Sequence, residues 1–194
     1  KIKPIKAIIF VHTFGNPSGF IEINKIAKKN KIPIIEDAAC AIGSKIKSSY
    51  VGSNSLLACF SFHQKKILNT GEGGMITTNQ KKIFNKILLK TNLGALKLKN
   101  KVFNQFIDTG FNYRLSEIQC LIGQKQIDKL KNKILLKNSI FKEYSAELIK
   151  FGFIPQNIYR NHLSNIQSCA FLVPEKVNRD KLIFYLKKNN IDST

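Results

Sequence analysis

The chain has 194 residues, 43% of them hydrophobic, which is enough for one core, or for one domain and part of a second. No apolar run reaches the roughly 20 residues that cross a bilayer, and the opening Lys1-Ile2-Lys3-Pro4 lacks secretory-signal character, so a soluble cytoplasmic protein is expected. The formal charge of +20 would suit a polyanion, but among the 32 basic residues only Arg114, Arg160 and Arg179 are arginine and the lysines form no stripe, a genomic bias that weighs against nucleic acid and leaves an anionic substrate open.

In chain order, Lys6-Ala7-Ile8-Ile9-Phe10-Val11-His12 reads as a buried strand, closed by Gly15-Asn16-Pro17. Phe20, Ile23, Ile26 and Ala27 then recur at helical spacing, and Asn30 with Pro33 ends that helix. Ile32-Pro33-Ile34-Ile35 predicts a second buried strand ending at Glu36-Asp37. Strand, helix, strand is the crossover of a parallel sheet, where ligands gather just past the strand C-termini. Asp37 occupies such a position.

Leu56 to Phe62 predicts another strand and Met75-Ile76-Thr77-Thr78 a fourth, with Lys65-Lys66 and the tight-turning Gly71-Glu72-Gly73-Gly74 between them. Asn79 is expected to cap a helix through Ile83, Ile87 and Leu88. A Gly/Asn-containing connection leads to Gly110-Phe111-Asn112-Tyr113-Arg114. Ser116 with Gln119 then predicts a capping box, opening a long helix through Ile118, Ile122, Ile127, Leu130 and Ile134. Phe141, Tyr144 and Leu148 continue that pattern, with room for a break before them. Ser168 to Val173 predicts a strand, and Asn178 is expected to cap a short helix. Cys40, Cys59, Cys120 and Cys169 are far apart and form no C-x-x-C pair, which points to free thiols and to no metal site.

Four segments stand in order: Glu36-Asp37-Ala38-Ala39, Ser61-Phe62-His63-Gln64-Lys65-Lys66, Gly71-Glu72-Gly73-Gly74 and Gly110-Phe111-Asn112-Tyr113-Arg114. Their order and spacing resemble the DegT/DnrJ/StrS family of pyridoxal-phosphate (PLP) sugar aminotransferases over nearly the whole chain. The resemblance implies an α/β fold, part of the fold type I large domain with a mostly parallel sheet and flanking helices, followed by the start of a smaller α+β domain. Residues 1–135 are assigned to the PLP-binding large domain without its N-terminal portion. Residues 136–194 are assigned to a connecting helix and the start of a truncated C-terminal domain.

Residue by residue, the resemblance makes Lys66 the lysine that forms a Schiff base with PLP and shuttles a proton; outside the motif it would read as a solvated surface lysine. Asp37 matches the carboxylate that pairs with the pyridine nitrogen, and as a plain residue it would serve as a helix cap. Ser61 matches a serine on the PLP phosphate. Asn112 matches an asparagine that reaches the neighbouring subunit's phosphate, which implies a homodimer with shared active sites; its plain alternative is a turn residue. Cys40 stands where many relatives carry Gln or His against the cofactor's phenolic oxygen, and a thiol is a weaker donor. His63 lies near enough in sequence to touch substrate or to serve only in packing, and His12 reads as structural. The small-residue phosphate loop and the ring-stacking aromatic of the family are expected to precede this chain.

The function implied is amination of a nucleotide-linked keto-sugar, with an amino acid such as glutamate as donor, in polysaccharide or lipopolysaccharide biosynthesis. The alternatives are a PLP-family sugar dehydratase, whose members carry histidine in place of the Schiff-base lysine, and a non-enzymatic basic protein that keeps the fold and binds nucleic acid.

Overall fold

The computed structural model describes residues 4–96 and 105–194; the first three residues and part of the connection before Gly110 lie outside the described residues. In chain order the elements are β1 (Ile8–Val11), α1 (Phe20–Lys29), β2 (Ile34–Asp37), β3 (Lys45–Ile46), β4 (Ser49–Tyr50), β5 (Leu57–Ser61) and β6 (Gly74–Thr77). They continue as α2 (Lys81–Thr91), β7 (Ala95–Leu96), β8 (Gln105–Phe106), α3 (Glu117–Leu148), β9 (Ile154–Pro155), β10 (His162–Leu163), β11 (Phe171–Leu172) and α4 (Arg179–Lys188).

A four-stranded sheet in the order β1-β2-β5-β6 organises the first part. The β1–β2 and β2–β5 pairs are parallel and β6 joins antiparallel, giving the mixed, mostly parallel sheet that the motifs imply. Strand alternation divides its residues cleanly. Ile8, Phe10, Ile34, Ala58 and Phe60 face one side, where they meet Phe20, Ile23 and Ala27 of α1 in the main hydrophobic cluster. Burying a side chain of the size of Phe20 contributes about 2–3 kcal/mol, and Phe20 is only 2% exposed. Asp37, Cys59 and Ser61 point to the opposite face with Ile9 and Val11, which stand 67% and 53% exposed.

Local chemistry explains most boundaries. Asn30 closes α1, Lys31 turns back at φ 55°, and Pro33 leads into β2. The expected capping box is present: Ser116 Oγ accepts from Gln119 N at 3.3 Å and Gln119 Oε1 accepts from Ser116 N at 3.0 Å. The helix it opens runs unbroken for 32 residues, with no break before Phe141. At α2 the cap differs from expectation. Gln80 is the N-cap and Thr78 Oγ1 accepts from Gln80 N, while Asn79 Nδ2 donates away to Ser53 O. Asn178 caps α4 as expected, accepting from Lys181 N at 2.9 Å. The strand expected over 168–173 shrinks to β11, paired with β9.

Two long-range contacts fold the later chain onto the segment that follows β2. Antiparallel pairing of β10 with β3 extends the β3–β4 hairpin to three strands. The turn after β2 also approaches α3 so closely that a Cβ on Gly43, at φ 79°, would stand 2.5 Å from Ile134 Cδ1. Among the described residues no helix is long and apolar enough to cross a membrane.

Candidate functional site

The parallel strands deliver side chains to one edge of the sheet. Asp37, the last residue of β2, lies level with Cys59 of β5, so Ser61 ends its strand two positions further on. Both are half-buried on the open face. Asp37 Oδ1 accepts from Ala39 N at 3.1 Å, which steers the chain through the turn that presents Cys40. The charge of Asp37 is felt locally: burial pushes the Cys59 thiol up, and the neighbouring carboxylate pushes it further.

Lys66 comes from the irregular crossing between β5 and β6. Its amide donates to His63 O at 2.9 Å, and the crossing is closed at its base by Phe62 N to Gly73 O at 2.8 Å and Thr70 N to Phe62 O at 2.9 Å. The half-buried Lys66 side chain reaches back across the strand ends, and its Nζ lies 3.1 Å from Cys40 Sγ. Cys40 is three residues beyond Asp37. The amine is thereby held beside the turn that follows β2 and Asp37. Lys65, by contrast, is exposed.

The remaining sequence candidates fall at different distances from this cluster. Ser61 Oγ accepts from His63 N at 3.2 Å, so its hydroxyl orders the start of the lysine-bearing crossing. His63 Nδ1 accepts from Lys65 N at 3.2 Å, and its Nε2 stands 3.5 Å from Glu72 Oε1. Asn112 is exposed and bridges Asn92; among the described residues no hydrogen bond joins it to Lys66, Asp37, Cys40 or Ser61. His12 is wholly buried, with Nε2 2.7 Å from Glu36 Oε2, in the structural role its strand-end position suggested.

Sequence reasoning missed the side chains that frame the lysine crossing. Gln167 Nε2 donates to Lys65 O at 2.9 Å and Gln167 Oε1 accepts from Ile67 N at 3.1 Å. Gln126 pairs with the backbone of Asn69 through Nε2 to Asn69 O at 2.8 Å, and Lys133 Nζ donates to Ile67 O at 3.3 Å. These are polar residues on a helix and in a loop, a pattern that normally reads as solvated surface. An open concavity of about 490 Å³ lies elsewhere, along the start of α3, lined by Glu117, Cys120, Leu121 and Gln124. No cluster of His, Cys, Asp and Glu among the described residues is arranged to hold a metal ion.

Comparison with known proteins matches residues 2–194 to the DegT/DnrJ/EryC1/StrS aminotransferase family. The chain is 39% identical over 146 residues to a UDP-4-amino-4,6-dideoxy-N-acetyl-beta-L-altrosamine transaminase of Campylobacter jejuni, a match covering 75% of this chain and 39% of that protein. A DegT/DnrJ/EryC1/StrS aminotransferase from Brucella abortus superposes with a TM-score of 0.86 at 27% identity, covering 97% of this chain and 49% of that one. The E. coli GDP-4-keto-6-deoxy-D-mannose-3-dehydratase with bound hydrated PLP superposes at 0.85 and 27% identity, covering 99% of this chain and 53% of that one. The chain thus spans about half the length of the proteins it matches.

Proposed function

The chain belongs to the DegT/DnrJ/EryC1/StrS aminotransferase family, and from that premise we propose that it carries the lysine half of a PLP-dependent sugar-nucleotide aminotransferase site. The observation that carries this reading is the position of Lys66 Nζ, 3.1 Å from Cys40 Sγ in the turn that follows β2 and Asp37. The donor set fits PLP chemically: a primary amine for the cofactor aldehyde, a carboxylate for a protonated pyridine, and a hydroxyl for a phosphate. When bound, PLP supplies the electron sink for the proton loss that transamination requires. Lys66 would hold the cofactor through its amine and would move the proton at the reacting carbon. Asp37 would keep the pyridine nitrogen protonated, and its bond from Ala39 N orients the carboxylate for that task. Ser61 would hold the phosphate, and Asn112 of a second subunit would complete that contact. Cys40 would face the phenolic oxygen, and His63 would be the residue nearest the substrate.

The substrate class we propose is a nucleotide-linked keto-sugar, with glutamate as amino donor, in cytoplasmic surface-polysaccharide biosynthesis. The C. jejuni relative is named for a UDP-linked amino sugar. The E. coli dehydratase shares the fold, so the fold leaves transamination and dehydration both open. Residue 66 separates them, because the dehydratases carry histidine in place of the lysine and this chain keeps lysine.

The test is chemical. Borohydride treatment in the presence of PLP should fix the cofactor on Lys66, read by peptide mapping, and leave Lys65 almost untouched. Lys66→Ala should remove the tag and all turnover of a keto-sugar nucleotide, whereas Lys65→Ala should change neither. A tag placed elsewhere, or normal turnover by Lys66→Ala, would defeat the reading.

A further inference from the structure

We propose that Gln167 is the positioning residue for Lys66, holding the backbone on both sides of it from a hundred residues downstream; the functional meaning rests on Lys66 being the cofactor lysine. The need for such a device follows from where Lys66 sits. Between β5 and β6 the chain has no ladder and no helix, only the turn in which Lys66 N donates to His63 O. A segment of that kind is free to fluctuate unless side chains from elsewhere tie it down.

A primary amide is suited to the task because it offers one donor edge and one acceptor edge in a fixed plane. The Gln167 amide uses both. Its Nε2 donates to Lys65 O at 2.9 Å, and its Oε1 accepts from Ile67 N at 3.1 Å. Those two atoms belong to the two peptide planes that meet at the Lys66 Cα. Fixing both planes fixes φ and ψ of Lys66, and with them the direction in which its Cβ leaves the backbone. The other ties to this crossing lack that property. Lys133 reaches Ile67 O, and Gln126 grips Asn69, three residues further on.

Gln167 has little freedom of its own. Its backbone N–H donates to both Phe14 O at 3.1 Å and Asn165 Oδ1 at 3.0 Å, and its backbone carbonyl accepts from Lys137 Nζ at 3.4 Å. Before it, Ser164, Asn165 and Ile166 are buried. Asn165 Nδ2 donates to Ile42 O, Asn165 N donates to Ser44 Oγ, and Ser44 Oγ donates on to Gly15 O. The clamp is therefore mounted on the loops that follow β1 and β2. Lys66 is positioned by the same scaffold that presents Asp37, and small displacements of a reacting group carry large rate penalties.

The experiment uses the full-length protein and compares wild type with Gln167→Ala, Gln167→Glu and Gln156→Ala. Gln156 is a neighbourhood control, since its Nε2 donates to Ser168 O and, among the described residues, its side chain makes no hydrogen bond to the lysine crossing. Amide hydrogen exchange at Ile67 should quicken about fivefold in Gln167→Ala, as expected for one lost hydrogen bond. It should stay near wild type in Gln167→Glu, whose carboxylate still accepts from Ile67 N. The Lys66-to-Lys65 ratio of borohydride-fixed PLP should fall in Gln167→Ala, fall part of the way in Gln167→Glu because Lys65 O loses its donor, and stay unchanged in Gln156→Ala. A Gln167→Ala protein with a lowered melting temperature but unaltered exchange at Ile67 and an unaltered ratio would overturn the proposal, as would an equal shift in Gln156→Ala. If wild type itself tagged Lys65 as readily as Lys66, the cofactor reading would fall, while exchange at Ile67 would still decide whether the clamp exists.

Discussion

Glu36 and Asp37 are adjacent carboxylates that the strand sends to opposite faces. Asp37 goes to the open face and the candidate site, and Glu36 goes to the core, where no part of it meets solvent. Burial by itself would raise the Glu36 carboxyl, but its hydrogen bond and charge interaction with His12, helped by the amide of Gly52, outweigh that and hold it below the ordinary carboxylate range. A carboxyl lowered in the folded state binds protons more readily when unfolded. Its contribution is therefore complete above the unfolded value of about 4.3 and drains away as pH falls through the folded value. Glu36→Gln should destabilise the protein by about 1–3 kcal/mol near neutral pH, the range for a hydrogen bond to a charged group. The difference from wild type should narrow below pH ~4, where wild type protonates as well. Urea titrations of both proteins from pH 7 to pH 3 provide the check, and a difference that stayed constant with pH would contradict the assigned shift.

At the scale of elements, α3 shows how far local signals carry. Its capping box was legible because Ser116 and Gln119 are close in sequence and their chemistry is local. Gln119 also donates from Nε2 to Glu72 O at 2.8 Å, tying the start of α3 to the glycine-rich turn after Lys66. Ser116→Ala should therefore cost about 1 kcal/mol in chemical denaturation with an unchanged denaturant slope, while Gln119→Ala should cost more because it also frees Glu72. β1, α1, β2, β5 and β6 were legible for a similar reason: apolar periodicity states which face is buried. The β3–β4 hairpin was not. Its two-residue turn places Lys47 at φ 55° where glycine or asparagine would have announced it. The segment 164–167 was hidden more deeply. Ser-Asn-Ile-Gln reads as a polar loop, and its burial depends on partners more than a hundred positions away at Ser44 and Ile42. Lys66, Asp37, Ser61 and Cys40 could be nominated through the resemblance of the four motif segments to the family, but the 3.1 Å approach of Lys66 to Cys40 and the Gln167 clamp could not, because both depend on how distant loops meet.

For the whole molecule, the position of Asn112 is the informative feature. It stands exposed between Phe111 and Tyr113, whose rings stack at 5.1 Å while remaining 54% and 70% exposed. Ile118, Leu121 and Ile122, close by in sequence at the start of α3, are exposed as well. Aromatic and aliphatic side chains gathered in this way favour a protein partner over water. An asparagine that, among the described residues, makes no hydrogen bond to Lys66 in its own chain, flanked by exposed apolar side chains, fits a residue that serves the site of a second copy. In an isologous dimer each site would then draw Lys66 from one subunit and Asn112 from the other. Mixing two defective proteins tests this directly. On the proposed reading, Lys66→Ala should abolish turnover, and Asn112→Ala should weaken it through the phosphate of the neighbouring site. When the two are unfolded and refolded together, one site of each mixed dimer combines an intact Lys66 with an intact Asn112, while the other carries both defects. With random pairing half the dimers are mixed, so the preparation should recover about a quarter of wild-type turnover. The same variants refolded separately and then combined should show only the average of their individual rates. If co-refolding gave no more than that average, Asn112 would act within its own subunit or not at all, and the exposed aromatic pair would need a different partner.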